Sequence, residues 1–550
     1  MTAVIYYHPE AYTTSGPKLM GRNAAGESFL RGFLEHSQAK EFWAQVQQPA
    51  HAHHFGQAVA AIGRKEPVKA VDKNTLGALA QAGVVYYPGP GIGEYAFHRS
   101  GFGHGAWSLC GITHTTSSAG AMDALAALVT SPVQPWDAVI CTSTAVKDNV
   151  VRLLQAQVDY LKDRLGITKV TLPQLPVIPL GIHTKDFVYS DDQKTTARHA
   201  IGADKDTLVV LFMGRLSFHA KAHPLAMYQA LQKAAEISGK EVVLVECGWF
   251  ANDYIQRAYA NAQQLACPTV RVLTLDGRKA EDRLTAWAAA DVFCSLSDNI
   301  QETFGIVPIE AMAAGLPVVV SDWDGYKDTV RDGVDGFRIP TIIPQAGLAG
   351  DLAYRHALEI DSYDMYCGHT CSLIAVDVEA TAHAFTKLFN SPELRQKMGI
   401  SGRQRAREIY DWAAIIPQYE DLWAKLNDIR KAEAPKLHKL QHPWPARMDP
   451  FHAFACYPTQ ILTPETILRL IDADLISAQQ RLSQYRQLAM VDFAKVVLPA
   501  EKETDWVLAK LAAGSQHAGT LIEGLPQERQ ALVFRALAWM LKMAVIGVAE

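Results

Sequence analysis

The chain lacks an apolar run long enough to cross a bilayer: nowhere do about 18 apolar residues follow one another without interruption, so no spanning helix is expected. The nearest approach, ALVFRALAWMLKMAVIGVAE at 531–550, is broken by Arg535 and Lys542 and reads as a packed or amphipathic helix, with attachment to a membrane surface left open. Also missing is a basic region with an apolar stretch and cleavage site before AVIYYH, so no signal peptide is expected. Cysteine is sparse, 8 in 550 residues, and several lie inside apolar runs such as VVLVECG and DVFCSLS, as buried small hydrophobes rather than a disulfide framework. A cytoplasmic protein is expected, with peripheral contact at the inner membrane face as the open alternative. Basic charge is not in excess either: 52 Lys and Arg against 57 Asp and Glu leave a net −5, which argues against a nucleic-acid partner.

Several motifs are absent as well. The Gly-rich stretch TSGPKLMGRNAAGESFLRGF (14–33) has no Gly-Lys-Ser/Thr ending, which argues against a P-loop and ATP hydrolysis. GPGIG (89–93) and GFGHG (101–105) lack the spacing of a dinucleotide fingerprint, so hydride transfer is not expected. HAHHFG (51–56) and CGHTC (367–371) hold metal-ligand types without a second cluster at zinc spacing, and read as structural or surface features.

What is present is an ordinary globular composition, 49% hydrophobic and 20% charged, in a chain long enough for two or three domains. Short Val/Ile/Leu-rich runs alternate with helical patterns, as parallel strands buried between helices do. A first set comprises AVIYYH (3–8), QAVAAIG (57–63), VVYYPGP (84–90), SLCGITHT (108–115), AVICTS (138–143) and LPVIPLG (175–181). A second comprises LVVLFMG (208–214), EVVLVECG (241–248), VRVLTLDG (270–277), DVFCSLS (291–297) and LPVVVSD (316–322). The polar stretch 184–200 between them is a plausible hinge between two doubly wound α/β units. Residues 431–462 read as a linker, and 463–550 as a helical appendage with apolar positions only at helical spacing.

The segment QETFGIVPIEAMAAG (301–315) carries two carboxylates eight residues apart. In one continuous helix they would lie roughly 80° and about 12 Å apart, too far for an acid/base pair. Pro308 belongs in a first helical turn, so the helix should begin near Ile306 and end at Gly315. Glu302 is then on a loop and Glu310 on the helix, with the amides of Phe304, Gly305 and Ile306 between them as an anion cradle. Carboxylate, cradle, carboxylate matches sugar hydroxyls, diphosphate, ribose hydroxyls. Read alone, the segment is equally an amphipathic helix with one solvated and one N-terminal glutamate. Just past the strand 208–214 stand Arg215 and Lys221, a cation pair able to neutralise a diphosphate leaving group, or two solvated charges.

Taken together, Arg215 with Lys221, followed by Glu302-Thr-Phe304-Gly305-Ile-Val-Pro-Ile-Glu310-Ala-Met-Ala-Ala-Gly315, resemble the donor-site signature of retaining family-4 glycosyltransferases (glycosyl transferases group 1) of the GT-B fold. VIPLGIHTKDF (177–187) resembles the family's interdomain loop and DGVDGF (332–337) the turn that follows; the resemblance covers roughly residues 1–426. It implies two Rossmann-like domains facing a cleft. The N-terminal acceptor domain would be 1–183, the nucleotide-sugar donor domain 184–410, and a helix at 411–430 would cross back to the first domain. It further implies that Arg215 and Lys221 bind the donor phosphates with the amides around Phe304, Gly305 and Ile306, that Glu302 binds the transferred sugar, and that Glu310 binds the ribose. Thr303 and Pro308 depart from the family's residues without altering a contacting group.

The Gly-rich stretch resembles the loop that lies over the donor, which makes Gly16 and Gly21 candidates for close backbone approach and Arg22 for a phosphate contact. A capped helix entrance with solvated Lys18 and Arg22 is the alternative. His114 ends a strand where the family places a histidine near the reacting sugar; a buried, satisfied histidine is its plain alternative. Asp322-Trp-Asp324 imitates the metal motif of the other large glycosyltransferase fold but follows a strand of the wrong unit, and no metal or other cofactor is expected. The resemblance thus implies an enzyme (a hexosyltransferase) moving a sugar, with same-face attack, from a nucleoside diphosphate, UDP favoured, to a glycan, lipid-linked or small-molecule acceptor. A nucleotide-sugar epimerase or a non-catalytic scaffold using the helical tail are the alternatives.

Overall fold

The computed structural model describes residues 2–13, 21–438 and 440–549, in two compact units, 1–444 and 445–550. The first unit holds two six-stranded sheets. Strands β1 (Val4–Tyr7), β2 (Phe42–Val46), β3 (Val68–Val71), β4 (Val84–Tyr86), β5 (Ser108–Ile112) and β6 (Ala138–Ile140) run parallel in the order β3-β2-β1-β4-β5-β6. Strands β7 (Leu208–Met213), β8 (Val242–Gly248), β9 (Arg271–Asp276), β10 (Val292–Ser295), β11 (Val318–Ser321) and β12 (Gly336–Ile339) form the second, in the order β12-β11-β10-β7-β8-β9. In both sheets the first strand lies between the second and the fourth, so each has a point where the winding reverses, and the chain leaves the strands' carboxyl ends there in opposite directions. Burial follows from composition: β7, β8, β10 and β11 are buried along their whole length, as strands covered by helices on both faces are.

All five strands expected in the second sheet are present; Gly336–Ile339 adds an edge strand that the sequence reading did not include. The first sheet departs more. QAVAAIG is the end of a helix, Pro49–Ala61, because Pro49 opens it and Phe55 and Val59, four apart, bury one face. LPVIPLG is not a strand: its prolines supply no donors, and it touches the sheet edge only through bridges of Val177 to Cys141 and of Gln174 to Ala138. Strands β2 and β3 take their places. In β3 the first three residues are exposed, so no apolar run marks it. The stretch 184–200 is more ordered than a bare hinge: a turn at Thr184–Phe187 leads to a helix, Asp191–Ala200, closed by a Ser190/Gln193 capping box.

The helix Trp412–Glu433 packs on the first sheet and on the helix Gly21–His36. The Trp412 indole donates to Ser28 Oγ at 2.8 Å, and Gly32 and Gly181 leave room for the ring: a Cβ at either would stand 2.4–2.5 Å from it. The second unit has its own core, around Leu468, Leu482, Val507, Leu508, Leu537 and Met540. It is helical with a small antiparallel sheet added, Ile467–Leu470 between Gln516–His517 and Ile546–Val548, where the sequence suggests helices alone. The helix expected across ETILRL begins later, at Leu475, where Asp474 accepts from the Ser477 amide as N-cap. Among the described residues no helix is long and apolar enough to cross a membrane.

Candidate functional site

The second sheet reverses between β7 and β10, and both arms of the candidate site leave from those two strand ends. After β7 the chain turns through Gly214 into Arg215–Lys221; the Arg215 Nη2 donates to the Ala220 carbonyl at 3.1 Å, which braces this loop. After β10 it runs through Ser297, Asp298 and Asn299 to the segment 301–305 and then into the helix Ile306–Ala314, with Pro308 in the first turn and Gly315 at φ 82° beyond the end. That helix has the bounds its proline and glycine predict. Its N-cap, Gly305, has no side chain to satisfy the first-turn amides.

The two arms meet through charge. The Lys221 ammonium stands 2.5 Å from Glu302 Oε2, with both side chains mostly buried (21% and 14% exposed). Burial pushes the Glu302 carboxyl up, but Lys221 and the Thr303 and Phe304 amides outweigh it and hold the group below its ordinary value. Glu302 thus engages both the cation and part of the amide cradle expected to serve a diphosphate. At the far end of the segment, Glu310 is half-buried, and burial pushes its carboxyl up to about 7, with Arg283 and Lys221 only partly opposing. Tyr189 faces it closely enough for that carboxylate to help raise the phenol.

A third arm, 322–326 after β11, closes on the loop. Gly305 sits at φ 82°, and a Cβ there would lie 1.9 Å from the Tyr326 ring; a Cβ on Gly325 would lie 2.5 Å from the Phe304 Cα. The Tyr326 hydroxyl bonds to Ser295 Oγ at 2.9 Å, and the Trp323 indole donates to the Asn299 carbonyl at 3.1 Å. Asp324, at φ 44°, is half-buried beside Glu302; desolvation and that neighbouring carboxylate push its acid well above the usual range. Asp322, in contrast, lies 3.5 Å from Arg338.

The N-terminal domain reaches the same loop. Thr303 Oγ1 donates to the His114 carbonyl at 3.1 Å, and the Ser143 hydroxyl donates to the Thr303 carbonyl at 2.8 Å. The structure therefore joins the Arg215–Lys221 loop, Glu302 with the Phe304–Ile306 helix start, and the turn of His114 through direct contacts, with Glu310 further along the helix. Phe304 contributes only backbone, since its ring is buried. Gly16 lies outside the described residues, and of Gly21 and Arg22 only the backbone, at the start of the helix Gly21–His36, is described.

The sequence reading discounted Thr303, which carries the bond to the His114 turn, weighed Asp324 only within a metal-motif imitation, and did not single out Tyr326 or Ser143. The signal for the 322–326 arm was its place directly after a strand expected beside β10. The HAHHFG histidines pack against the end of β1: His54 bonds the Tyr7 hydroxyl, and His51 meets His8 edge-on with ring centroids 4.7 Å apart. No group of three metal-ligating side chains comes together among the described residues.

Residues 193–348 match the family model of glycosyl transferases group 1. The D-inositol 3-phosphate glycosyltransferase of Mycolicibacterium vanbaalenii is 31% identical over 173 residues, 30% of this chain and 36% of that protein. The alpha-maltose-1-phosphate synthase of Mycolicibacterium smegmatis is 25% identical over 305 residues, 54% of this chain and 65% of that protein. The chain thus spans between about a third and two thirds of these relatives' lengths. In fold it resembles HepE of Anabaena, solved in complex with UDP, at a TM-score of 0.51 and 15% identity, over 77% of this chain and all of that one. The GT-B architecture of two facing doubly wound domains is the one observed.

Proposed function

We propose that this protein is a glycosyltransferase that moves a sugar from a nucleoside diphosphate to an acceptor hydroxyl. The observation that carries the reading is the Lys221–Glu302 pair at the reversal point of the second sheet, beside a helix start that has no side-chain cap. An arriving diphosphate would take over Lys221, with Arg215 and the amides of 304–306 as its other partners. Glu302, released from the cation, would accept hydrogen bonds from the hydroxyls of the transferred sugar. As the sugar–phosphate bond breaks, negative charge grows on the departing diphosphate, and cations and amides fixed around it stabilise that charge most where it is greatest.

Glu310 would receive the ribose hydroxyls. Donors of that kind favour the ionised form, so nucleotide binding would lower its pKa from about 7. His114, on the turn bonded to Thr303, would meet the reacting sugar. No side chain stands out as a covalent nucleophile, and retention by same-face attack, with the departing phosphate taking the acceptor proton, fits these residues. Proximity and charge stabilisation, rather than a dedicated base, would supply most of the rate. A metal ion is not needed to balance the diphosphate while Arg215 and Lys221 face it. UDP is the first nucleotide to try, since the similarly folded Anabaena protein was solved with it.

The test is a panel of UDP-, ADP- and GDP-sugars scored for binding and turnover, with and without sugar and polyol acceptors, and repeated on Glu302→Ala. Donor-dependent transfer that collapses in the variant supports the reading. Release of an isomerised free sugar without acceptor points instead to an epimerase, binding without turnover to a scaffold, and no binding of any donor overturns the reading.

A further inference from the structure

Between β12 and the helix Val378–Asn390 the chain makes an excursion, 340–377, most of which lies past the segment that matches the family model. Its base is tied by two short antiparallel strands, Thr341–Ile342 and Ala375–Val376. Its second helix, Tyr363–Cys371, is held on one side by the phosphate-facing loop. Gly368 packs so closely on His219 that a Cβ would stand 2.8 Å from the His219 Cβ, and the Cys371 thiol contacts the Phe218 carbonyl at 3.8 Å. Arg215 is near enough to act on the Cys367 thiol. His219 is in turn fixed to the other arm, where Asn299 Nδ2 donates to its carbonyl at 3.0 Å.

The same helix begins on the opposite wall. The Tyr363 hydroxyl lies 3.0 Å from Ser117 Oγ and 3.2 Å from Thr115 Oγ1, and those two hydroxyls are 3.2 Å from each other. Ser117 is buried and Tyr363 half-buried, so the three-hydroxyl cluster is held out of bulk water, where such bonds are directional. Thr115 and Ser117 follow His114 directly.

We propose that the helix Tyr363–Cys371 is a strut coupling the two walls of the cleft, with Tyr363 as a positioning residue. Its C-terminal half seats on the 215–221 loop, its first residue holds the turn that carries His114, and a nucleotide that orders the loop therefore also orders the turn. The proposal rests on the donor-site reading above. The strut acts through His114 and the loop and touches no reacting atom. When it is cut, a bound donor no longer fixes the acceptor wall, and water gains access to the activated sugar.

The test uses the whole chain, UDP as probe with ADP and GDP as replacements, and hydrogen exchange across 111–118 in wild type, Tyr363→Phe and Ser117→Ala. Nucleotide should slow exchange of the 114–118 amides about fivefold or more in wild type and in neither variant, with affinity for the nucleotide unchanged within about twofold. Faster exchange throughout the first sheet, with or without nucleotide, would be plain destabilisation and would leave the nucleotide-dependent difference intact. With a donor that turns over, the ratio of hydrolysis to transfer should rise about fivefold or more in Tyr363→Phe, a change that a general loss of folded protein would not produce. Protection that persists in both variants, or a wild type that binds nucleotide without protecting the turn, overturns the strut and leaves the donor site standing. A wild type that binds none of the three nucleotides overturns both.

Discussion

Glu302 and Glu310 are the same residue type, eight positions apart on one segment beside one cleft, and their carboxyls are pushed in opposite directions. Both are desolvated. What separates them is that Glu302 has an ammonium at contact distance and two amides, whereas Glu310 has cations only further off and no amide. Partner distance therefore decides ionisation here more than burial does. Removing the cation should make the first site like the second. In Lys221→Met the Glu302 carboxyl loses its main counter-charge and rises, and the diphosphate loses a fixed positive charge. Turnover should fall about 100- to 1,000-fold, mainly in kcat, read by steady-state kinetics on the donor found in the panel.

The joint between the two ends is the next most sensitive point. Gly305→Ala must place a side chain at φ 82° and against the Tyr326 ring, and neither the loop nor the buried tyrosine has room to yield. A loss of about 2–3 kcal/mol in urea unfolding is expected. Nucleotide binding should weaken with it, because the cradle amides move with the loop.

Much of this was legible in the residues. The central strands β7, β10 and β11 of the second sheet are apolar runs buried along their length, and Pro308 with Gly315 marks both ends of the site helix, so this half was readable almost strand by strand. The first sheet was harder because β2, Phe42–Val46, carries a glutamine and only one Val, Ile or Leu, and β3 is mostly exposed, so no aliphatic run announces either. The charges of the site could be placed in order but not paired. That Lys221 meets Glu302 depends on where two loops from neighbouring strands touch, which no local pattern encodes. Tyr363 was invisible for the same reason, since its partners lie about 250 residues earlier on the other wall.

The titration of the two glutamates gives the next prediction, and the signs differ. Glu302, held low, adds stability above its unfolded value near 4.5, and this is lost as pH falls through the lower folded value. Glu310, held near 7, is neutral at no cost in both states below about 4.5; its penalty grows as pH rises and is complete once pH passes about 7. Glu310→Gln should therefore leave urea stability at pH 4 nearly unchanged and raise it by about 2 kcal/mol at pH 8, while weakening nucleotide binding. Equal gains at both pH values would show that the effect is steric rather than ionic.

The smallest expected effect lies next to Glu302 itself. Thr303→Val keeps the shape of the side chain and removes the hydroxyl that donates to the His114 carbonyl across the cleft. Leaving that acceptor without its partner should cost about 1 kcal/mol of stability, while the Lys221–Glu302 pair and the Thr303 amide are untouched. Nucleotide affinity should accordingly stay within about twofold. If affinity instead falls as it does in Lys221→Met, the charge at Glu302 depends on how the His114 turn is seated, and the two ends of the segment differ by their link to the opposite wall as well as by the distance to a cation.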